Sequence, residues 1–189
     1  MALYLHSSIE NSTTISSLQG KHFESVWVLC ELDGKTLLVS SVYVHHDDPQ
    51  SLKCFLESLE LASNFCTKNN VDYCYVMGDF NSRNIAWNDR VNNQLGEALM
   101  DYLNCTTKDV TLVSPNEPTF LCTNGSSVID LAIANNKTKD NIIICTVDNV
   151  YHLGSGAPAR GHIPVLTVLD IARKKSRNME LPLGKVFMT

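Results

Sequence analysis

The run Asp72-Tyr73-Cys74-Tyr75-Val76-Met77-Gly78-Asp79-Phe80-Asn81 constrains this chain more than any other stretch. Aromatic and β-branched residues that stop abruptly at a glycine are the pattern of a buried strand entering a sharp turn. Asp79 and Asn81 then stand two positions apart just past the strand end. In extended chain that spacing sends both side chains to one side and Phe80 to the other, into the core. Polar groups at the carboxyl end of a strand are where α/β sheets place their chemistry. The same residues also suit an Asx-turn that merely closes the strand, so the rest of the chain has to decide between the two.

The flanking sequence supplies a sheet for this strand. Residues 23–32 and 35–44 read as a hairpin closed at Asp33-Gly34. Residues 2–6 read as a strand and residues 7–20 as a Ser/Thr/Asn-rich loop. Strand signals recur at 110–113, 118–122, 127–134, 141–147 and 163–169, and Ile142-Ile143-Ile144 suggests burial on both faces. Behind Pro49, which a first helical turn tolerates, Leu52, Phe55, Leu56, Leu59, Ala62, Phe65 and Cys66 repeat at helical spacing. A second helix is expected over 93–104. Strands outnumber helices and helices fall between strands, so the expected class is α/β of the α+β kind with a mixed sheet. The 189 residues suffice for one domain. Its expected extent is 1–170, leaving 171–189 as a basic tail or linker that carries Arg173-Lys174-Lys175-Ser176-Arg177.

A net charge of −5 argues against a large basic nucleic-acid face. It is compatible with a nuclease whose acidic metal site sits inside a rim of Lys and Arg. No apolar run has the length of a membrane span. The seven cysteines include no C-x-x-C pair and several lie in apolar runs. They read as reduced, mostly buried thiols of an intracellular protein, nuclear or cytoplasmic. In His45-His46-Asp47-Asp48, neighbouring side chains on an extended chain point opposite ways, so the cluster reads as a polar loop before a helix rather than a metal site.

Further on, Asp130 interrupts the apolar run Val128-Ile129-x-Leu131, and a carboxylate there needs a partner because a buried unpaired charge is costly. His162 opens the last strand after Gly161. If the two meet across neighbouring strands, the carboxylate fixes the imidazole tautomer and raises its basicity.

Taken in order, Ser41-Val42-Tyr43, Met77-Gly78-Asp79-Phe80-Asn81, Ser127-Val128-Ile129-Asp130-Leu131 and His162-Ile163-Pro164 resemble the endonuclease/exonuclease/phosphatase superfamily. Within it they look most like the apurinic-type endonuclease domain of non-LTR (LINE-type) retrotransposons. That resemblance implies a four-layer sandwich of two mixed β-sheets with outer helices. It also implies hydrolysis of DNA phosphodiester bonds with Mg²⁺ or Mn²⁺. Asp79 would hold the metal and deprotonate the attacking water, and Asn81 would bind the phosphate. His162, oriented by Asp130, would bind phosphate and stabilise the transition state, while Tyr43 would touch phosphate or leaving group. A reverse-transcriptase domain is expected downstream in the parent element.

Two departures qualify this. The family opens with a strand bearing an Asn and a strand ending in a metal-ligating Glu, before the part that matches residues 1–6. Here Glu10, Glu24 and Glu31 stand in the wrong context to replace that Glu, so the fold is expected to lack the family's first strands. The family's Ser-Asp-His-x-Pro is Arg160-Gly161-His162-Ile163-Pro164, with Gly156–Gly161 read as an insertion after the lead-in His152-Leu153-Gly154-Ser155. The chain is therefore expected to bind metal weakly and to be an impaired, retrotransposon-derived endonuclease-like domain. The alternatives are a catalytically dead remnant with at most a binding function, or a phosphatase or phosphodiesterase of the same superfamily.

Overall fold

The computed structural model describes residues 2–7, 9, 11–46, 48–105, 109–148 and 161–171. In chain order the strands are Asn11–Thr14 (β1), Glu24–Leu32 (β2), Lys35–Tyr43 (β3), Tyr73–Asp79 (β4), Thr111–Val113 (β5) and Phe120–Cys122 (β6). Gly125–Ser127 (β7), Asp130–Ala134 (β8), Ile142–Val147 (β9), Gly161–His162 (β10) and Val165–Leu169 (β11) follow. The helices are Pro49–Lys68 (α1), Gln94–Cys105 (α2) and the single turn Asn136–Lys139 (α3). The fold is α+β, with mixed sheet and flanking helices.

The expected hairpin forms β2 and β3, paired antiparallel with Glu24 opposite Tyr43 and Leu32 opposite Lys35. Asp33 and Gly34 both take positive φ, the primed-turn geometry that Asp-Gly favours. From β3 the chain crosses through α1 and returns as β4, parallel to β3. The Asp48 carboxylate accepts the Gln50 N–H at 2.9 Å and caps α1, with Pro49 in its first turn. β8 and β5 complete a six-stranded sheet in the order β1-β2-β3-β4-β8-β5.

The alternation of β4 divides the core. Val76, with Trp27, Leu38, Val42, Leu131 and Ile133, faces the helices and meets Leu52, Phe55 and Leu59 of α1 and Leu99 of α2. Tyr73, Tyr75 and Met77 face the other way, with Leu37, Val39, Ala132 and Ala134. On that side lie a two-stranded sheet, β11-β9, and a three-stranded sheet, β10-β6-β7. Tyr75 Oη and Thr167 Oγ1, 2.8 Å apart, link β4 to β11 across the interface. The two smaller sheets meet along residues 161–169. The Ile163 N–H donates to the Thr119 carbonyl on the β6 side at 2.7 Å, and the Pro164 carbonyl accepts the Asp148 N–H on the β9 side at 2.7 Å.

Several sequence expectations change. The strand expected over 2–6 does not form: Leu3 and Leu5 pack on the core while Tyr4 is exposed, so the alternation is satisfied by packing without a ladder. The expected loop over 7–20 contains β1, whose four residues are all exposed. An edge strand solvated on both faces needs no apolar alternation, which hides it from a hydrophobicity pattern. Ile143 and Ile144 are 59% and 44% exposed, against the expectation of a strand buried on both faces. β9 belongs to a two-stranded sheet, and its register against β11 slips between Ile142 and Ile144. The single strand expected over 127–134 is two, β7 and β8, which belong to different sheets. Of the seven cysteines only Cys30 is buried, while Cys105 and Cys122 are exposed. The basic cluster 173–177 and the segments 152–155 and 156–160 lie outside the described residues.

Gly78 is where the sheet tolerates no side chain. Its φ is +150°, and a Cβ there would stand 1.9 Å from the Val42 carbonyl oxygen on β3. Gly78→Ala should therefore cost about 3 kcal/mol or more, from backbone strain plus a forced separation of β3 and β4. Urea denaturation checks it, and an unchanged midpoint would mean that the ladder can open at this point.

Candidate active site

Strand register sets out the site before any side chain is considered. Glu24 on β2 is opposite Tyr43 on β3, Tyr43 opposite Asp79 on β4, and Asp79 opposite Asp130 on β8. Registered residues share a face, so one row crosses four strands on the face opposite the helices. Phe80 points the other way, fully buried against Phe55 at 4.8 Å between ring centroids.

Asp79 closes its own turn. Its Oδ1 accepts the Asn81 N–H at 2.9 Å, so the Asx-turn and the carboxylate of the site are one structure rather than alternatives. Asn81 is at φ +49°, not in the extended conformation that the two-residue spacing assumes. Its amide donates one hydrogen to the Val44 carbonyl at 2.9 Å, which keeps it at the mouth between β3 and β4. The segment that follows is tied back on itself. Asn93 donates to the Asn81 carbonyl at 2.8 Å, and Arg83 grips buried Asp89 through Nε (3.0 Å) and Nη2 (2.9 Å). Asp89 in turn accepts the Val128 N–H at 2.8 Å and so anchors this segment to the approach of β8.

His162 comes from the other layer. Its Nδ1 lies 3.0 Å from both Asp130 oxygens and its Nε2 lies 3.7 Å from Asp79 Oδ2. The Phe120 ring packs edge-on against the imidazole at 4.9 Å. The expected partnership of Asp130 and His162 is thus direct, but it joins two sheets rather than neighbouring strands. Thr119 makes that junction. It is fully buried, its hydroxyl accepts the Ile129 and Asp130 N–H groups at 3.0 Å each, and its carbonyl accepts the Ile163 N–H. Thr119, Asp89 and Asn93 carry no mark in the sequence beyond being polar residues beside apolar runs, so pattern reading passes over their roles.

The electrostatics follow from this packing. Burial pushes the Asp79 carboxyl up to about 6. The Asn81 N–H opposes that rise, the Asp130 charge adds to it, and His162 and His46 pull back. The hydrogen bond to Asp130 raises His162, with burial opposing and both carboxylate charges assisting. His46 therefore bears on the site, and the His45 ring meets Tyr43 edge-on at 5.0 Å. The polar-loop reading of this cluster holds for His45 and His46, which lie in the turn before α1, and for Asp48, its cap; Asp47 lies outside the described residues.

A divalent metal fits these residues poorly. Mg²⁺ takes near-octahedral oxygen coordination, commonly from one or two carboxylates with water and phosphate. Both oxygens of Asp130 face the His162 Nδ1, and one oxygen of Asp79 is occupied by Asn81. Among the described residues no group of three or more His, Cys, Asp or Glu side chains could hold a metal ion. Glu24 shares the row, but Tyr43 stands between it and Asp79, about 10 Å away at two interstrand spacings. Glu31 is at the far end of β2, and Glu10 lies outside the described residues. Gly161, where the related motif has Asp, takes φ +102°, a conformation that an Asp side chain seldom adopts.

A family model described as endonuclease-reverse transcriptase matches residues 37–156, well over half of the chain. The chain belongs to that family. The superfamily resemblance read from the four motifs is thereby borne out. No curated protein sequence matches the chain. Among solved structures it is similar to the endonuclease domain of TRAS1, a telomere-specific non-LTR retrotransposon. The identity is 16% and the TM-score 0.68, over 86% of this chain and 70% of that one. It is also similar to an AP endonuclease from Archaeoglobus fulgidus (17%, TM-score 0.51, 77% and 65% covered). A third likeness is to the Haemophilus ducreyi cytolethal distending toxin (16%, TM-score 0.51, 86% and 59% covered). At these identities the likeness is one of fold. No helix among the described residues is long and apolar enough to cross a membrane.

A carboxyl held near 6 when folded, against about 3.9 unfolded, binds its proton more tightly in the folded state. Asp79 therefore withdraws stability as pH rises between about 4 and 6. The raised His162 adds stability that is complete below its unfolded pKa and is lost as pH climbs through the folded one. Asp79→Asn, which keeps an oxygen for the Asn81 N–H, should stabilise the protein by about 1–3 kcal/mol at pH 7. Below about pH 4 it should have little effect, as thermal melts across that range would reveal. Thr119→Val strips two buried N–H groups of their acceptor and should cost about 2–4 kcal/mol. It should also shift the His162 ring resonances in NMR spectra, whereas unmoved resonances would leave Thr119 with a packing role only.

Proposed function

We propose that this chain is an endonuclease-type domain that binds DNA phosphate at the Asp79–His162–Asp130 site and does not cleave DNA above background. The observation that carries the reading is how the carboxylates are spent. Asp130 is committed to His162, and Asp79 alone is left to face a metal. A metal-dependent endonuclease is the parent activity, and this arrangement retains its phosphate-handling half.

Each residue has a role in that half. His162, made more basic by Asp130, offers a positive Nε2–H towards the space before Asp79, where a phosphate oxygen would sit. Asn81 keeps a second amide hydrogen, since one donated bond uses half of its –NH₂ group. Tyr43, one strand from Asp79 in the same row, would place its hydroxyl beside the phosphate or the leaving group. Asp79, held near 6 by burial, is suited to accept a proton from water at neutral pH. Without charge neutralisation on the phosphate that proton transfer alone gives little rate. The two smaller sheets, bridged at Ile163 and Pro164, are read as one second sheet. With the large sheet and the outer helices this supports the four-layer sandwich of the family. The pairing of endonuclease with reverse transcriptase in the family's name supports a larger parent protein.

Fluorescence anisotropy with a DNA duplex, alongside plasmid nicking with Mg²⁺ and with EDTA, tests the proposal. Binding should weaken with salt and fall about tenfold in His162→Ala, with no nicking above background. Nicking that needs Mg²⁺ and is lost in Asp79→Ala would overturn the impaired reading. Absence of salt-sensitive binding would overturn the DNA reading altogether.

A further inference from the structure

The N-terminus of α2 is built against the residues that follow Asp79, and Asn93 makes the joint. Its Oδ1 accepts two backbone N–H groups, from Gly96 at 2.7 Å and from Arg83 at 2.9 Å. The first bond caps α2, and the second ties that cap to the loop. The Asn93 Nδ2 donates to the Asn81 carbonyl at 2.8 Å, and its backbone N–H donates to the Arg83 carbonyl at 3.0 Å. With two donors at one end of the amide and a carbonyl at the other, the side chain has a single workable orientation. The joint has no slack: a Cβ on buried Gly96 would stand 1.9 Å from the Arg83 carbonyl oxygen. Asn81 is thereby gripped at three points. Asp79 takes its N–H, Val44 its side-chain amide and Asn93 its carbonyl. Those grips hold it at φ +49°, a left-handed conformation that asparagine tolerates better than most residues but still adopts at a cost.

We propose that Asn93 is a positioning residue: by holding the Asn81 carbonyl, it aims the remaining Asn81 amide hydrogen at the DNA phosphate. The inference rests on the reading of Asn81 as a phosphate-binding residue and adds the device that orients it. Two jobs are separable within the one side chain. The Asn93 oxygen caps the helix, a task that Asp or Ser performs about as well. The nitrogen serves Asn81 alone. An ionised Asp in its place has no donor, so the Asn81 carbonyl would face a carboxylate oxygen and be repelled by it. Ser keeps a capping hydroxyl on a side chain too short to serve the helix and Asn81 together. With its carbonyl released, Asn81 is free to leave the left-handed region, and its amide swings out of the mouth between β3 and β4. A polar side chain that touches no DNA thus decides whether its neighbour does.

The test uses the whole chain, with affinity for a DNA duplex read by fluorescence anisotropy and the Asn81 side-chain amide read by NMR. Asn93→Asp should keep the helix content and move the Asn81 Nδ2 resonances. It should weaken DNA binding about tenfold, the loss also expected of Asn81→Ala. The double variant should again lose about tenfold rather than about a hundredfold, because both changes remove one and the same contact. Asn93→Ser repeats the measurement where Asn93→Asp does not fold. Losses that add in the double variant would show that residue 93 acts on DNA independently of Asn81, through charge or general loosening, and would overturn the proposal. So would an Asn93 variant with wild-type affinity or unmoved Asn81 resonances. A wild-type chain without salt-sensitive binding would instead sink the phosphate reading. Moved Asn81 resonances would then still uphold the grip of Asn93, and unmoved ones would overturn it.

Discussion

One buried hydroxyl holds the candidate site together. Thr119 Oγ1 takes the N–H groups of Ile129 and Asp130, and the carbonyl of the same residue takes the N–H of Ile163. A carboxylate at the start of β8 and an imidazole on β10 belong to different sheets, and side-chain packing alone would leave their separation loose. Three short bonds converging on one residue fix it to within hydrogen-bond tolerance. The pairing of Asp130 with His162, the charge on the imidazole and the environment of Asp79 all follow from that junction.

Sequence legibility tracked how local the determining physics is. The strand over 72–77, which runs two residues further in the fold, the Asp-Gly hairpin and the two long helices were readable because period and turn chemistry act within a few residues. Asp130 and His162 were readable as a pair through the cost of an uncompensated carboxylate in an apolar run. Their placement on different sheets was not, because it depends on where chain segments far apart in sequence cross. The left-handed Asn81 was obscured by the very feature that drew attention to it. Equal spacing on an extended strand and capture of a backbone N–H by Asp79 leave the same residues at the same positions. Polar β1 and the exposed isoleucines of β9 fail in opposite directions for a shared reason: hydrophobicity records what could be covered, and topology decides what is.

The groups of the candidate site differ in how firmly the fold holds them. Residues that orient and hydrogen-bond are locked by backbone contacts that the fold needs anyway, as with Asn81 against Val44 and Thr119 against Ile163. Metal ligands have no such second employment, since a carboxylate ring around a cation is a cost to stability wherever the cation is missing.

The bond between Tyr75 and Thr167 gives this arrangement an unexpected reach. His162 and Thr167 lie on one continuous run of chain, five residues and about 17 Å apart. That run behaves as a beam, gripped by Tyr75 at one end and carrying the imidazole at the other. A tilt at the grip is passed along that run to the Ile163 anchor on Thr119, and from there to the spacing between the imidazole and Asp79. The alignment of His162 thereby becomes a gauge of how squarely two sheets sit on one another, set from a phenol that never approaches it.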